Sequence, residues 1–294
     1  MAPLLTVTFV RHGESTDNLR SVWAGWKDSP LSNHGMNQAK AAGTSLSSIR
    51  FAAIYASPLK RAYSTAEAIL EAQPEPRPPL THSLLLREQH FGIAEGHPWL
   101  VALKPGVTLE EHYTQGVFPV LHHRSDKFPE GESIDDLAIR ADQAVHELIL
   151  PRVWATAREG MRGAHIVVVS HGLCISELVP ALLRKNAGQI AKDEYRGLMN
   201  TAWTRVAVDL ADWTGNEPLE FSDDNPPPLM IKVTDFNRHE HLDKVKRQKG
   251  GIGRAAYDPK QQDIRAFFGG AAVKPIEEGR SESNVQDEAD VDIQ

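Results

Sequence analysis

Apolar and polar positions divide the chain into strand-like and helix-like stretches that follow one another repeatedly. Thr6-Val7-Thr8-Phe9-Val10 is β-branched and aromatic, the composition of a buried strand. It breaks into Arg11-His12-Gly13, where Gly13 permits a sharp turn ahead of the helix-start residues Glu14 to Asn18. Ser32 or Asn33 caps a helix predicted over 35–49, with Ala39, Ala41, Ala42, Leu46 and Ile49 on its apolar side. Phe51 to Ala56 reads as a second strand that ends in Ser57-Pro58-Leu59-Lys60-Arg61, and 62–72 is helical again. Leu80 to Leu86 is a third strand, followed at once by Arg87-Glu88. Ser133, with Asp135 and Asp136 behind it, caps a long amphipathic helix predicted from Ile134 to about Arg158. Ala164 to Val169 has the continuous apolar run of a strand buried on both faces; it ends in Ser170-His171-Gly172 and passes into a helix over 173–183. Further strands are expected over 200–209 and 229–233. This alternation predicts an α/β protein with a parallel sheet and helices on its faces.

Three stretches do not fit the alternation. Residues 73–79 are proline-rich and form an extended link. Residues 97–128 have no sustained period, and an irregular stretch of that length in a compact domain reads as a binding loop or lid, or else as a flexible segment. Beyond Asn237 the pattern collapses into a basic run, Lys244 to Lys249, and an acidic end, Glu277 to Asp292. The basic run reads as a solvated segment, with nucleic-acid contact or nuclear import as the alternative. The expected division is therefore a domain over 1–240, with an insertion at about 89–130, and a mostly disordered charged tail over 241–294.

Composition changes little in this picture. The chain has 294 residues, 41% hydrophobic and 24% charged, within the range of ordinary globular proteins. Its formal net charge of −7 argues against direct nucleic-acid contact. The single cysteine, Cys174, allows no intrachain disulfide and no cysteine-rich zinc site; it reads as a small buried hydrophobe. No basic leader with a cleavage site and no bilayer-length apolar run is present, so a cytoplasmic or nuclear protein with no membrane association is expected.

The chemistry accumulates where predicted strands end. Arg11 and His12, Arg61, Glu88, and His171 each follow a strand, and in an open α/β sheet the carboxyl ends of the strands converge on one crevice. Two arginines are the natural partners of a phosphate, since each planar fork gives paired, charge-assisted hydrogen bonds. Of two histidines beside one anion, one can attack while the other donates a hydrogen bond, and a carboxyl group can protonate the leaving oxygen. No metal or cofactor is needed, because arginine and histidine already supply positive charge. Glu95 is the alternative acid, although it reads better as a loop anchor. Trp23, Trp26 and Trp99 read as packing residues, and His122-His123 and the His239/His241 pair as solvated loop histidines without a third metal ligand.

The strings FVRHGESTDN, WAGWKDSPLSNHGMNQA, YASPLKRAYSTA, LREQHFGIAEG and VVSHG together resemble the histidine phosphatase, or phosphoglycerate mutase-like, superfamily over most of residues 5–180. The resemblance implies a three-layer α/β/α sandwich with a mostly parallel central sheet and a cap insertion. It implies His12 as the nucleophile that becomes phosphohistidine. Arg11, Asn18, Arg61, His171 and Gly172 would form the phosphate pocket, and Glu88 would be the proton donor. The substrate would be a small phosphomonoester or a phosphoprotein. Leu173 follows His171-Gly172 where cofactor-dependent mutases commonly carry Asn, which favours a phosphatase over a phosphoglycerate-type mutase. Some fungal members of similar layout are linked to the RNA polymerase III initiation machinery. A fungal origin is therefore expected, and a transcription-complex assembly subunit is the alternative from another class.

Overall fold

The computed structural model describes residues 2–99, 103–187, 195–211, 213 and 217–260. Six strands form one sheet: β1 (Leu5–Arg11), β2 (Ala53–Ala56), β3 (Leu80–His82), β4 (Ala164–Ser170), β5 (Trp203–Leu210) and β6 (Leu229–Arg238). Their order across the sheet is β3-β2-β4-β1-β5-β6. The pairs among β3, β2, β4 and β1 are parallel, whereas β5 and β6 are joined on antiparallel. Helices cover both faces, which makes the fold the expected α/β/α sandwich.

The pleat of the central strands decides which helix goes where. Successive side chains of β4 point to opposite faces. Ile166 and Val168 join Val7 and Phe9 against α4 (Ile134–Ala144), α5 (Leu150–Arg158) and α6 (Gly172–Leu183). Val167 and Val169 join Val10 and Ile54 against α1 (Asn33–Leu46) and α2 (Lys60–Glu71). Each such fully buried side chain contributes roughly 1.5–3 kcal/mol, and this two-sided burial explains the unbroken apolar run of the sequence.

The predicted long helix over 134–158 forms with one irregularity. Ser133 caps it through Asp136 N, and a π turn over Val145–Ile149 joins α4 to α5. Pro151 follows directly, and its missing N–H cannot continue the regular ladder. The third strand is shorter than expected: after His82, Ser83 accepts a hydrogen bond from Leu85 N and Leu84–Leu86 turn as a 3-10 helix. As an edge strand, β3 pairs with β2 alone, so little holds the chain extended past it. The irregular 97–128 stretch contains one short helix, α3 (Leu109–Thr114), closed by a Thr108–Glu111 capping box. Around it Phe91, Phe118 and Phe128 form a separate small core joined by Trp23 and Tyr113.

The boundary expected at residue 240 is not where packing stops, because the compact unit extends to Tyr257. Arg247 makes a two-pronged ion pair with Glu14, at 2.8 and 2.5 Å. Asn33 N donates to Ala255 O at 2.9 Å, Tyr257 N donates to Leu31 O at 2.8 Å, and the Tyr257 ring packs on Leu31, Met36, Ala39 and Ala68. Pattern reading missed this because the segment has no period of its own; it is held by single side chains and backbone bonds. The rest of the expected tail, 261–294, lies outside the described residues.

Candidate active site

Strands β2, β4 and β1 are side by side, with Ala56 opposite Val169 and Arg11 opposite Ser170. The residues that follow these ends, Ser57, His171 and His12, therefore emerge together on one edge of the sheet. The His12 backbone is pinned on both sides. Its N–H donates to Ser170 O at 3.0 Å, and its carbonyl accepts from Thr201 N and Asn200 Nδ2, both at 3.2 Å. Gly13 N donates to Thr65 Oγ1 at 3.1 Å, and a Cβ at Gly13 would stand 2.4 Å from Gly35 O. Only glycine lets this turn press against the start of α1.

His12 Nδ1 lies 2.6 Å from Gly13 O. A carbonyl oxygen only accepts, so Nδ1 carries the proton and Nε2 holds the free lone pair. Burial, then Arg61 and Arg11, push the His12 pKa well below that of an ordinary histidine. The ring is neutral, as a nucleophilic nitrogen must be. The His171 ring lies 5.0 Å away, centroid to centroid, and its Nε2 shares a 2.8 Å hydrogen bond with Ser57 Oγ. Burial, then Arg61, His12 and Arg11, depress its pKa as well.

Two guanidinium groups face these rings. Arg61, in the first turn of α2, donates to Gly25 O at 2.7 Å and Lys27 O at 3.0 Å, so the loop carrying Trp26 clamps it. Arg11 donates through Nη1 to Leu198 O, and a Cβ on Gly172 would come 3.7 Å from Arg11 Nε. The Nε atoms of Arg11 and Arg61 and Nδ1 of His171 are buried with no partner among the described residues. Buried donors are ordinarily paired, and three orphaned polar nitrogens around one neutral imidazole suit an oxyanion with several acceptor oxygens. Both guanidinium pKa values are lowered, by burial first, with Glu88 opposing; at neutral pH both stay charged.

Glu88 approaches from the end of the 3-10 turn, not directly from a strand end. Its Oε1 accepts from Gln89 N and Cys174 N, each at 3.0 Å, and Oε2 from Leu173 N at 3.3 Å. The carboxyl group thus sits on the amide groups that open α6. Its carbonyl accepts from Trp26 Nε1 at 2.7 Å and from Arg140 Nη2 at 2.9 Å. Trp26 is itself stacked on His90 and covered by Arg87.

The site can be set beside known proteins. The family model described as histidine phosphatase superfamily (branch 1) matches residues 7–217, most of the chain. The chain belongs to that superfamily. A 2,3-bisphosphoglycerate-dependent phosphoglycerate mutase 2 from Gloeobacter violaceus is 30% identical over 201 residues, 68% of this chain and 86% of the mutase. A Schizosaccharomyces pombe protein named "Probable phosphatase C1620.13" is 30% identical over 267 residues, 89% of this chain and 79% of the relative. Among solved structures, a mycobacterial glucosyl-3-phosphoglycerate phosphatase superposes with a TM-score of 0.54 at 25% identity, covering 79% of this chain and 98% of its own.

Most residues singled out from the sequence of this histidine phosphatase superfamily member meet at one place: Arg11, His12, Arg61, Glu88, His171 and Gly172. Asn18 is exposed; its Oδ1 takes hydrogen bonds from Ser15 N and Oγ and, at 3.5 Å, from Asn200 Nδ2, which also donates to His12 O. The Glu95 carboxylate accepts from Trp26 N and Phe91 N, the anchoring role expected of it. Burial pushes the Cys174 thiol up to about 12, so it stays protonated and inert. His241 is not simply solvated: its Nε2 meets Thr201 Oγ1 at 2.9 Å. Among the described residues no cluster of three or more His, Cys, Asp or Glu side chains is placed to hold a metal ion.

Three supporting residues were missed from the sequence. Ser57 was findable, because it follows β2 at the same edge as the histidines follow β1 and β4. Arg140 donates to the carbonyls of Leu85, Arg87 and Glu88 and to the Glu132 carboxylate, so it ties the acid's turn to α4. Its signal was a charge beside Ala141 on the buried face of an amphipathic helix. Trp26 carried no signal that distinguishes a positioning residue from a packed one.

Neutral burial of both rings has a pH consequence. Their folded pKa values lie below the unfolded value near 6.5, so below pH 6.5 the unfolded chain binds more protons and stability falls. His165, lowered to about 4, adds to the same trend. Each such histidine costs up to about 1.4 kcal/mol per pH unit in that window. The melting temperature is therefore expected to drop by several degrees from pH 7.5 to 5.5. A flat profile would contradict neutral burial.

Proposed function

We propose that the protein is a metal-independent phosphatase that hydrolyses a phosphomonoester through phosphohistidine at His12. The observation that carries this reading is the His12–Gly13 hydrogen bond, which leaves Nε2 unprotonated beside two buried guanidinium groups. In the first half-reaction Nε2 attacks phosphorus, the ester P–O bond breaks, and Glu88 gives a proton to the departing alcohol oxygen. Arg11, Arg61 and His171 hold the non-bridging oxygens, and the two arginines supply the charge stabilisation that a metal ion gives in other phosphatases. Water then attacks the phosphohistidine while Glu88 takes its proton, which returns both residues to their starting state. A fungal origin agrees with the Schizosaccharomyces pombe relative.

The mutase reading is favoured by the Gloeobacter violaceus relative and weakened by the cap. A mutase must retain a doubly phosphorylated intermediate. The permanent cations of residues 89–128 are Lys104, Arg124 and Lys127. Arg124 is engaged by Glu177 and Asp135, and Lys127 pairs with Asp136; Lys104, exposed and 3.5 Å from the neutral Gln115 amide, keeps its charge in solvent. Little uncompensated charge is left there for a second phosphate, so water is the acceptor.

The test is the leaving-group dependence of Glu88→Gln. An alkyl phosphate needs the proton and should be slowed by about 10²–10⁴-fold, whereas a nitrophenyl ester should be slowed far less. Equal losses on both would remove Glu88 from the acid's role. Interconversion of phosphoglycerates faster than phosphate release would make the protein a mutase. Absence of any turnover would leave the assembly-subunit alternative.

A further inference from the structure

A cavity of about 260 Å³ opens beneath the cap insertion, walled by Trp23, Phe91, Leu121, Phe128, Ile134 and Leu173 among others. We propose that it receives the alcohol part of the substrate and selects phosphomonoesters of bulky apolar alcohols, aromatic or branched. This deepens the phosphatase reading and rests on it.

The position of the cavity identifies its occupant. Gln89 and Leu173 both line it, and both donate their backbone N–H groups to the Glu88 carboxylate. The cavity thus adjoins the two residues whose amides hold the acid. An acid that protonates the leaving oxygen faces that oxygen, so whatever the oxygen carries extends on the acid's side of the phosphate, toward these walls.

The lining identifies the chemistry. The indole N–H of Trp23 is already committed to Phe118 O at 2.9 Å, so its ring offers apolar surface only. Phe91, Phe128, Val120, Leu121, Ile134 and Leu173 add no polar side-chain atom; the exposed His122 and His123, with Asp126 and Gln89, bring polar atoms to the rest of the lining. The cations Arg124 and Lys127 on the lining are compensated by Glu177, Asp135 and Asp136. Arg196 also lines the cavity and is exposed to solvent. A compact charged alcohol such as serine or glycerate would meet mostly exposed polar side chains, which water already solvates, whereas an apolar body gains by leaving water against the apolar wall. At about 30 Å³ per water, the cavity replaces on the order of nine waters, room for a ring on a short chain.

The experiment compares kcat/KM for ethyl phosphate, phosphoserine and 2-phenylethyl phosphate, simple alkyl esters that all need the acid. The ring-bearing ester is expected to exceed ethyl phosphate by at least about tenfold, since one methylene in an apolar pocket already discriminates by about ten to two hundred. Phosphoserine should not exceed ethyl phosphate. Val120 lines the cavity and is 46% exposed, so Val120→Asp is tolerated by the fold and places a carboxylate on the wall. It should cut the 2-phenylethyl to ethyl ratio by tenfold or more. Equal values across the three esters, a preference for phosphoserine, or an unchanged ratio in Val120→Asp would overturn the assignment. p-Nitrophenyl phosphate, run alongside, separates the two levels. Turnover of that ester with a flat panel rejects the cavity's role alone; no turnover and no trapped phosphoenzyme rejects the phosphatase reading, and the cavity's role with it.

Discussion

His12→Ala is expected to yield a folded protein with no measurable turnover and no trapped phosphoenzyme. The imidazole is the one unprotonated nitrogen with a fixed tautomer in the site, so its removal deletes bond formation to phosphorus altogether. The loss should be on the order of 10⁴-fold or more, as for other nucleophile deletions. Wild-type protein quenched with acid-labile, base-stable phosphate bound would identify the intermediate as a phosphohistidine. The fold should survive, because the backbone of residue 12 is held by Ser170, Asn200 and Thr201 whatever its side chain. Residual activity above a few per cent would remove His12 from the role. Retained activity with the phosphate trapped elsewhere would move the nucleophile to another residue.

Truncation after His239 is expected to lower the melting temperature sharply, by about 5–10 °C or more. It removes Arg247 and leaves the Glu14 carboxylate, whose side chain is 10% exposed, with Ser32 Oγ as its remaining side-chain partner. Stripping one member of a largely buried ion pair costs about 3 kcal/mol, reduced toward 2 here because the Arg247 side chain is 36% exposed. At about 2–4 °C per kcal/mol for a domain of this size, the ion pair alone accounts for most of that shift. The bonds of Ala255 and Tyr257 to the α1 start add to it. Glu14 directly follows the His12-Gly13 turn, so catalysis should suffer as well. Arg247→Ala should reproduce most of the effect, and Glu14→Gln combined with Arg247→Met should restore part of it, since the paired loss leaves no unbalanced charge. Removal of 261–294 is expected from its composition to change neither property. Unchanged melting after the longer truncation would show that residues 240–257 contribute nothing to the domain's stability.

The sequence by itself determined the layers and the edge at which the site forms. Two-sided burial requires unbroken apolar runs such as 166–169, and the alternation of such runs with capped helices leaves a parallel sheet as the arrangement that buries them all. Strand direction then sends Arg11, His12 and His171 to one edge, because parallel neighbours end on the same side. Those assignments depend on period and on chain direction, both of which are local properties and therefore readable. The protonation state of His12 was not readable, since it follows from a 2.6 Å contact with its neighbour's carbonyl and from burial beside two arginines contributed by different elements. Nor was the seat of Glu88 readable: three backbone amides from two segments hold it, and backbone amides look alike in every sequence. Residues 240–257 failed for the same reason. Their docking comes from Arg247 meeting Glu14 and Tyr257 covering Met36, long-range pairings that impose no period on the segment itself. What tertiary structure alone decided was thus every property set by a partner far along the chain, because periodicity records which face a residue turns inward and carries no record of what it meets there.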